Sequence, residues 1–288
     1  MHRDGNGIAA GSGQQAAAAG TAGRRRVPLL SALGRAARAV AWLWLFAVGV
    51  AAWWVLSAHS TSLYFPPLEK ILRQLYALWI AGSARGQLAA SLEQFAAGYA
   101  IAGLGGIGIG ALLWSVRGVR EATSPYIYFL YVLPAPALVP AVMTIFGIGF
   151  TMKVVIIAFA AIWPTLLNTL DGMRGVDEIK LDTSRVLGLS GFRAVRSVVL
   201  PAAAPQIVAG LRNSLQVAII LMVVSEWIAS TGGIGYFIVN AQQAFNYLNM
   251  WTGIIMLALI GIVANLLFVL AENWLLHWHY AARAKEAR

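Results

Sequence analysis

Long apolar runs separated by short polar ones dominate the chain from residue 39 onward. Stretches 39–58, 88–113, 126–146, 151–171, 205–228 and 250–271 are each long and apolar enough to cross a bilayer. About 20 residues of helix, at about 1.5 Å per residue, span roughly 30 Å of hydrocarbon. Six transmembrane helices are expected. A β-barrel would need short alternating segments instead of unbroken runs. After the first run, Pro66-Pro67 opens a segment that places Leu68, Ile71, Leu72, Leu75 and Leu78 on one face, an amphipathic interfacial helix rather than a span. Between the last two runs, a turn at Gly232, Gly233 and Gly235 leads into another helix of mixed polarity. Residues 1–34, rich in Ala, Gly, Gln and Ser, form an N-terminal arm expected to be disordered, and 35–288 form the membrane unit.

The longest polar interval, 172–204, has a structure of its own. Val176, Ile179, Thr183, Val186 and Leu187 recur at helical spacing, while Asp177, Glu178, Lys180 and Asp182 fall elsewhere. Gly188 ends this helix, where a positive φ costs little. Ser190 is placed to cap a second short helix carrying Phe192, Val195 and Val199, with Arg193 and Arg196 on the wet side. Pro201 is expected to stop it. Helix, elbow and helix make a rigid L with an apolar ridge, which suits docking better than linking.

Charge orients the chain. With the N-terminus inside, the inner segments 1–38, 114–125, 172–204 and 277–288 hold 16 of the 21 Lys and Arg residues, and the outer segments hold three: Lys70, Arg73 and Arg85. That asymmetry puts both termini in the cytoplasm. The net charge of +10 is therefore a topological signal, and no nucleic-acid partner is expected. A composition of 59% hydrophobic and 11% charged residues excludes an ordinary soluble enzyme. Without cysteine there is neither a disulfide framework nor a thiolate metal site. The run Arg24-Arg25-Arg26 precedes an apolar stretch too long for a signal peptide core, so an uncleaved first span is expected.

The 172–204 loop resembles that of the permease subunits of bacterial ABC importers. Their loop reads Glu-Ala-Ala, three residues, Gly, nine residues, then Ile-x-Leu-Pro; here Gly188 is followed by nine residues and then Val198-Val199-Leu200-Pro201. Asp182-Thr183-Ser184 stands at the first triplet and keeps only the carboxylate. The resemblance covers roughly 60–275. "YFPP", "SLEQFAAGYAIAGLGGIGIG", "VLPAPALVP", "IWPTLLNTLDGM", "LPAAAPQIVAGLRNS" and "SEWIASTGGIGYFI" look like one subfamily, which serves nitrate, taurine, aliphatic sulfonates and some heterocyclic vitamin precursors. It implies an all-α integral membrane protein of the type I importer permease fold in the bacterial inner membrane. It also implies a homodimer, two ABC ATPase subunits seated on the loops (Asp182, Thr183, Ser184, Gly188, Leu200 and Pro201) and an extracytoplasmic binding protein. The chain has no phosphate-loop motif of its own, so ATP and magnesium belong to the partner, and neither cofactor nor catalytic residue is expected here.

Several residues within the spans remain to be placed. Glu226 stands near the outer end of span five, either as a gate or pathway residue or as a structural hydrogen-bond partner. Pro134, Pro136 and Pro140 in span three and Pro164 in span four kink pore-lining or merely packed helices. Asn168, Asn265 and Thr252 are the polar groups most suited to a small anion's path. Gly103, Gly105, Gly106, Gly108 and Gly110 let helices approach closely. Arg212 is expected to snorkel to the cytoplasmic surface. His277 and His279, beside Trp274 and Trp278, read as an interfacial anchor rather than a metal site. The rival reading is a secondary transporter driven by an ion gradient, which would need a coupling-ion site in the membrane.

Overall fold

The computed structural model describes residues 44–45 and 47–277; the arm 1–34, the start of the first run and His279 lie outside them. All regular structure among the described residues is helical. The apolar helix α1 (Ala47–Ser57) ends the first run. Described residues 56–277 form one compact unit. It contains α2 (Leu68–Leu75) with a π turn (Tyr76–Ile80), α3 (Arg85–Ser115), α4 (Arg117–Val132), a 3-10 turn (Ala135–Leu138) and α5 (Val139–Phe146). There follow α6 (Phe150–Arg174), α7 (Glu178–Val186), α8 (Gly191–Ala194), a π turn (Val195–Val199), α9 (Leu200–Ile228), α10 (Ile234–Gln243) and α11 (Tyr247–Leu275).

Among the described residues, four helices are long and apolar enough to cross a membrane alone: α3, α6, the continuous Gly191–Ile228, and α11. The expected third span, 126–146, is not one helix. The helix begins at Arg117, so nearly all of the supposed loop 114–125 is helical and only Val116 separates α3 from α4. It then breaks at Leu133 and Pro134, and the two halves meet at 87°. The cause is local: the residue before a proline is driven to extended geometry, and Leu133 sits at ψ 124°. Pro134 itself follows at ψ 103°, and Pro136 and Pro140 then fall in the first turns of the new helical segments, where a missing N–H costs nothing.

The core is a sandwich of α3, α6 and α9 whose backbones nearly touch. Small residues recur at every fourth position on one face of α3. A Cβ at Gly98 would lie 2.6 Å from the Ile157 side chain, at Gly106 2.8 Å from Thr165 and at Gly110 2.9 Å from Thr169. On the other flank of α6, Gly172 receives Gln206 and Gly210 receives Asn168. Close approach of this kind substitutes for the hydrophobic driving force that lipid cannot supply between helices. Of the other glycines expected to pack, Gly103 and Gly105 face Leu211 and Ile162, and Gly108 faces open space. Around this core, α11 leaves most of its apolar flank exposed, as a lipid-facing helix does.

One end of the bundle is closed by a second layer. Trp79, Ile234, Ile238, Met256 and Ile260 form a core between the α2 segment, α10 and α11. The Trp79 indole donates to Thr252 Oγ1 at 3.2 Å, and Gln74 donates to Asn249 at 3.0 Å. Thr252 is thus occupied by this layer. Leu68 and Ile71 are buried as expected of α2 and Leu75 and Leu78 are half-buried, whereas Leu72 is exposed on the flank it shares with Tyr76 and Ile80.

Candidate functional site

At the opposite end of the bundle, α7, α8 and the start of α9 build the elbow. Asp177 caps α7 through its side chain, accepting the Ile179 N–H at 2.9 Å. The helix ends in two bonds, Leu189 N–H to Ser184 O at 2.9 Å and Gly188 N–H to Arg185 O at 3.0 Å. With Gly188 at φ +71°, this is a Schellman ending. Ser190 occupies the N-cap position of α8 but its side chain makes no capping bond.

Pro201 does not stop the second helix. Gly191–Ile228 runs continuously into the membrane as 38 residues. Proline removes one N–H and crowds the carbonyl four residues back. The π turn at Val195–Val199 opens the helix there, and Leu200 N–H reaches back to Val195 O. The elbow is therefore rigidly continuous with α9. Val176, Val195 and Val199 root it in a cluster with Met173, Ala203 and Ile207.

Away from that root, the elbow stands clear. An apolar cavity of about 820 Å³ separates it from the inner end of α3, walled by Ala111, Trp114, Leu181, Leu189, Phe192 and Val195. Ile179, Val186, Leu187 and Phe192 point outward, Val186 at 87% and Phe192 at 76% exposed. Of the expected ridge, Val176, Val195 and Val199 turn inward instead, as part of the root. In the triplet, Asp182 pairs with Arg185 at 2.7 Å and Thr183 donates to Ile179 O at 2.7 Å. Ser184 is buried and donates to Leu181 O at 2.7 Å. Leu200 is half-buried and Pro201 exposed.

The three residues expected to serve a solute path, Asn168, Asn265 and Thr252, do not converge. Asn168 donates to Pro164 O at 2.8 Å and accepts from Gln206 at 2.8 Å, bridging α6 and α9. Thr165 and Ser214 meet at 2.6 Å in the same interface. Asn265 is exposed on α11, and Pro134 and Pro136 are exposed at the break in span three. Arg212 pairs with Glu272 of α11 at 2.8 Å and lies 5.8 Å over the Phe268 ring. That partner was hidden in sequence by its distance along the chain, in a different span. His277 hydrogen-bonds Trp274 O at 2.7 Å.

Glu226 is 1% exposed at the closed end of the bundle. One carboxylate oxygen accepts from Ser91 Oγ at 2.6 Å and the other from Gly235 N–H at 2.7 Å. Lys153, 5% exposed at the start of α6, donates to Gly232 O at 3.0 Å. Sequence reasoning missed Lys153, Ser91 and Gln87 as companions of Glu226; the available signal was a lysine standing inside an otherwise apolar run.

Residues 102–277 match the family model described as "Binding-protein-dependent transport system inner membrane component". The chain is 31% identical to the putative aliphatic sulfonates transport permease protein of Bacillus subtilis, over 82% of this chain and 86% of that one. It is 30% identical to the taurine transport system permease protein of Escherichia coli, over 81% and 87%. Among solved structures, a chain of the methionine ABC transporter in inward-facing conformations superposes with a TM-score of 0.56. Its sequence identity is 16%, and the match covers 72% of this chain and 97% of that one, a likeness of fold. These matches set aside the ion-gradient rival, and they make the chain a transport component rather than an enzyme. The chain belongs to the family of inner membrane components of binding-protein-dependent transport systems, the ABC importer permeases.

Proposed function

We propose that the chain is the permease of an ATP-driven importer for a small anionic solute of the sulfonate or nitrate class, working as a homodimer with two ATPase subunits. One observation carries the reading: an apolar face of Ile179, Val186, Leu187 and Phe192, presented to solvent on an element rigidly continuous with a span. Exposed apolar residues on a short helix are the anchors of helix-in-groove recognition. On this reading the elbow end is cytoplasmic, as the Lys and Arg distribution requires, and the ATPase holds ATP and its magnesium. The α10 end faces outward and receives solute from the binding protein. Closure of the ATPase pair moves the elbows, and the spans follow as rigid bodies.

The names of the relatives support a sulfonate as first candidate. Glu226 accepts two hydrogen bonds and Glu272 is charge-paired with Arg212, which reduces their repulsion of an anion. Specificity is expected to reside largely in the binding protein. The test is reconstitution of permease, ATPase and binding protein into liposomes with labelled taurine, an alkanesulfonate or nitrate outside. Uptake is expected only with ATP at the elbow side and binding protein at the other. Uptake by the permease alone, driven by a proton or sodium gradient, would refute the reading.

A further inference from the structure

Where α10 begins, side chains from three spans converge on a single turn. Gln87 and Ser91, one helical turn apart on α3, accept the N–H groups of Gly233 and Ile234 at 2.5 and 2.8 Å. Glu226, in the last turn of α9, takes the Gly235 N–H and the Ser91 hydroxyl. Lys153 from the first turn of α6 holds the Gly232 carbonyl. Three successive N–H groups at a helix start are thus satisfied entirely by side chains of other helices, where a single local cap is usual.

Capping alone does not explain the arrangement. Taking a carboxylate and an ammonium out of water is costly unless each is fully hydrogen-bonded, and a neutral Ser or Asn beside the turn would cap α10 without that cost. The packing also leaves no slack. Gly233 sits at φ +114°, and a Cβ there would overlap the Glu226 carboxylate. At Gly235 a Cβ would lie 2.8 Å from Val223 O and 2.9 Å from Glu226 Cβ. Apart from Ser230, whose hydroxyl bonds Gly232 locally, every partner reaches the turn from a span, and three spans contribute, so any sliding of α3, α6 or α9 past the others at this end breaks bonds to the turn.

We propose that Glu226, Lys153, Ser91 and Gln87 form a latch that stays closed throughout the transport cycle and makes α10 move with α3, α6 and α9 as one body. The outer mouth then opens elsewhere than between α10 and these three spans. Glu226 and Lys153 are positioning residues in this scheme, not contacts for the solute. The inference rests on the permease reading above, which wild-type uptake in the same preparation tests separately.

The chain has no cysteine, so a pair can be introduced cleanly. A Cβ on Gly232 lies 3.2 Å from Gln87 Oε1, which makes Gln87→Cys with Gly232→Cys the natural choice. The full transporter carrying this pair is reconstituted with binding protein and bridged by a short bifunctional methanethiosulfonate reagent. The substitution removes the Gln87–Gly233 bond and the bridge restores a tie at the same place, so a closed latch predicts that the bridged sample takes up solute no less than the reduced one; loss of uptake on bridging, restored by reductant, overturns the proposal. This variant retains both charges, so it does not depend on the folding of the next two. Glu226→Gln and Lys153→Met are expected to lower solute moved per ATP hydrolysed by about fivefold or more, the range of ordinary coupling between sites. Parallel loss of uptake and hydrolysis at constant ratio would show a purely structural role and also overturn it. If the wild type shows no ATP- and binding-protein-dependent uptake, the permease reading fails first and takes the latch with it.

Discussion

Replacing Gly188 isolates the elbow from everything else in the molecule. No atom lies within 4 Å of a Cβ built there, so a side chain meets no steric obstacle, and φ +71° is the only constraint. The left-handed conformation costs an L-residue about 1–2 kcal/mol, less for Asn, whose side chain bonds locally, and most for a β-branched residue. Against it stand the two bonds of the Schellman ending, Leu189 to Ser184 and Gly188 to Arg185. A cost of about 1–2 kcal/mol shifts the population of the native elbow by a factor of about 5–30. Gly188→Val should thus release the angle between α7 and α8 while leaving the spans inserted, Gly188→Ala should do so less, and Gly188→Asn least. The assay is binding-protein-stimulated ATP hydrolysis in proteoliposomes with matched amounts of permease. Stimulation is expected to fall in the order wild type, asparagine, alanine, valine. Impairment by Gly188→Asn as deep as that by Gly188→Val would mean that the effect is not backbone strain. Full stimulation with Gly188→Val would show that the elbow angle is not what carries the coupling.

Two further perturbations address the membrane core. Gly106→Leu should destabilise the α3–α6 contact by about 1–3 kcal/mol, as overpacking does, since its Cβ would stand 2.8 Å from Thr165 Cβ and 3.0 Å from Ile162 O. Gly108→Ala, facing open space two residues on, should be neutral or slightly stabilising; thermal unfolding in detergent reads both, and equal effects would refute the packing argument. Arg212→Leu and Glu272→Leu should each lower the unfolding temperature by leaving one member of the pair without its partner, and the double variant should recover part of the loss. Strict additivity of the two would show that the pair is not coupled.

Apolar length alone made four of the spans readable, because residues 88–113, 151–171, 205–228 and 250–271 all fall inside single helices. Length could not reveal the bend in the third. Three prolines in seven residues announce a perturbation, but its direction is set by where Ala135 and Val139 pack, in one cluster with Met152, Ile156 and Met222 from distant positions. Pro201 misled for a related reason. A proline stops a helix only if the chain cannot widen around it, and the π turn at Val195–Val199 does widen. Gly188 was legible because a helix ending is local: the bonds that define it lie between Ser184 and Leu189. The Lys153–Glu226 cluster was not, since its members come from separate segments brought together only by the packing of α3, α6 and α9.

These parts form one mechanical line. The elbow carrying Phe192 and the latch carrying Glu226 are attached to the same uninterrupted helix, Gly191–Ile228. Its 38 residues measure roughly 57 Å at about 1.5 Å per residue. Two seams hold it laterally: Gly210 against Asn168 with Ser214 bonded to Thr165 on α6, and Tyr99 Oη donating to Leu211 O at 3.0 Å on α3. Because these seams are backbone-close, α9 cannot bend independently of α3 and α6, so a push at the elbow tilts the three together. A lever of this length moves its far end by roughly 1 Å for each degree of tilt. A shift at the elbow therefore arrives at Glu226 and Lys153. That is where a latch binding α10 to three spans turns the tilt of one helix into movement of the whole closed end.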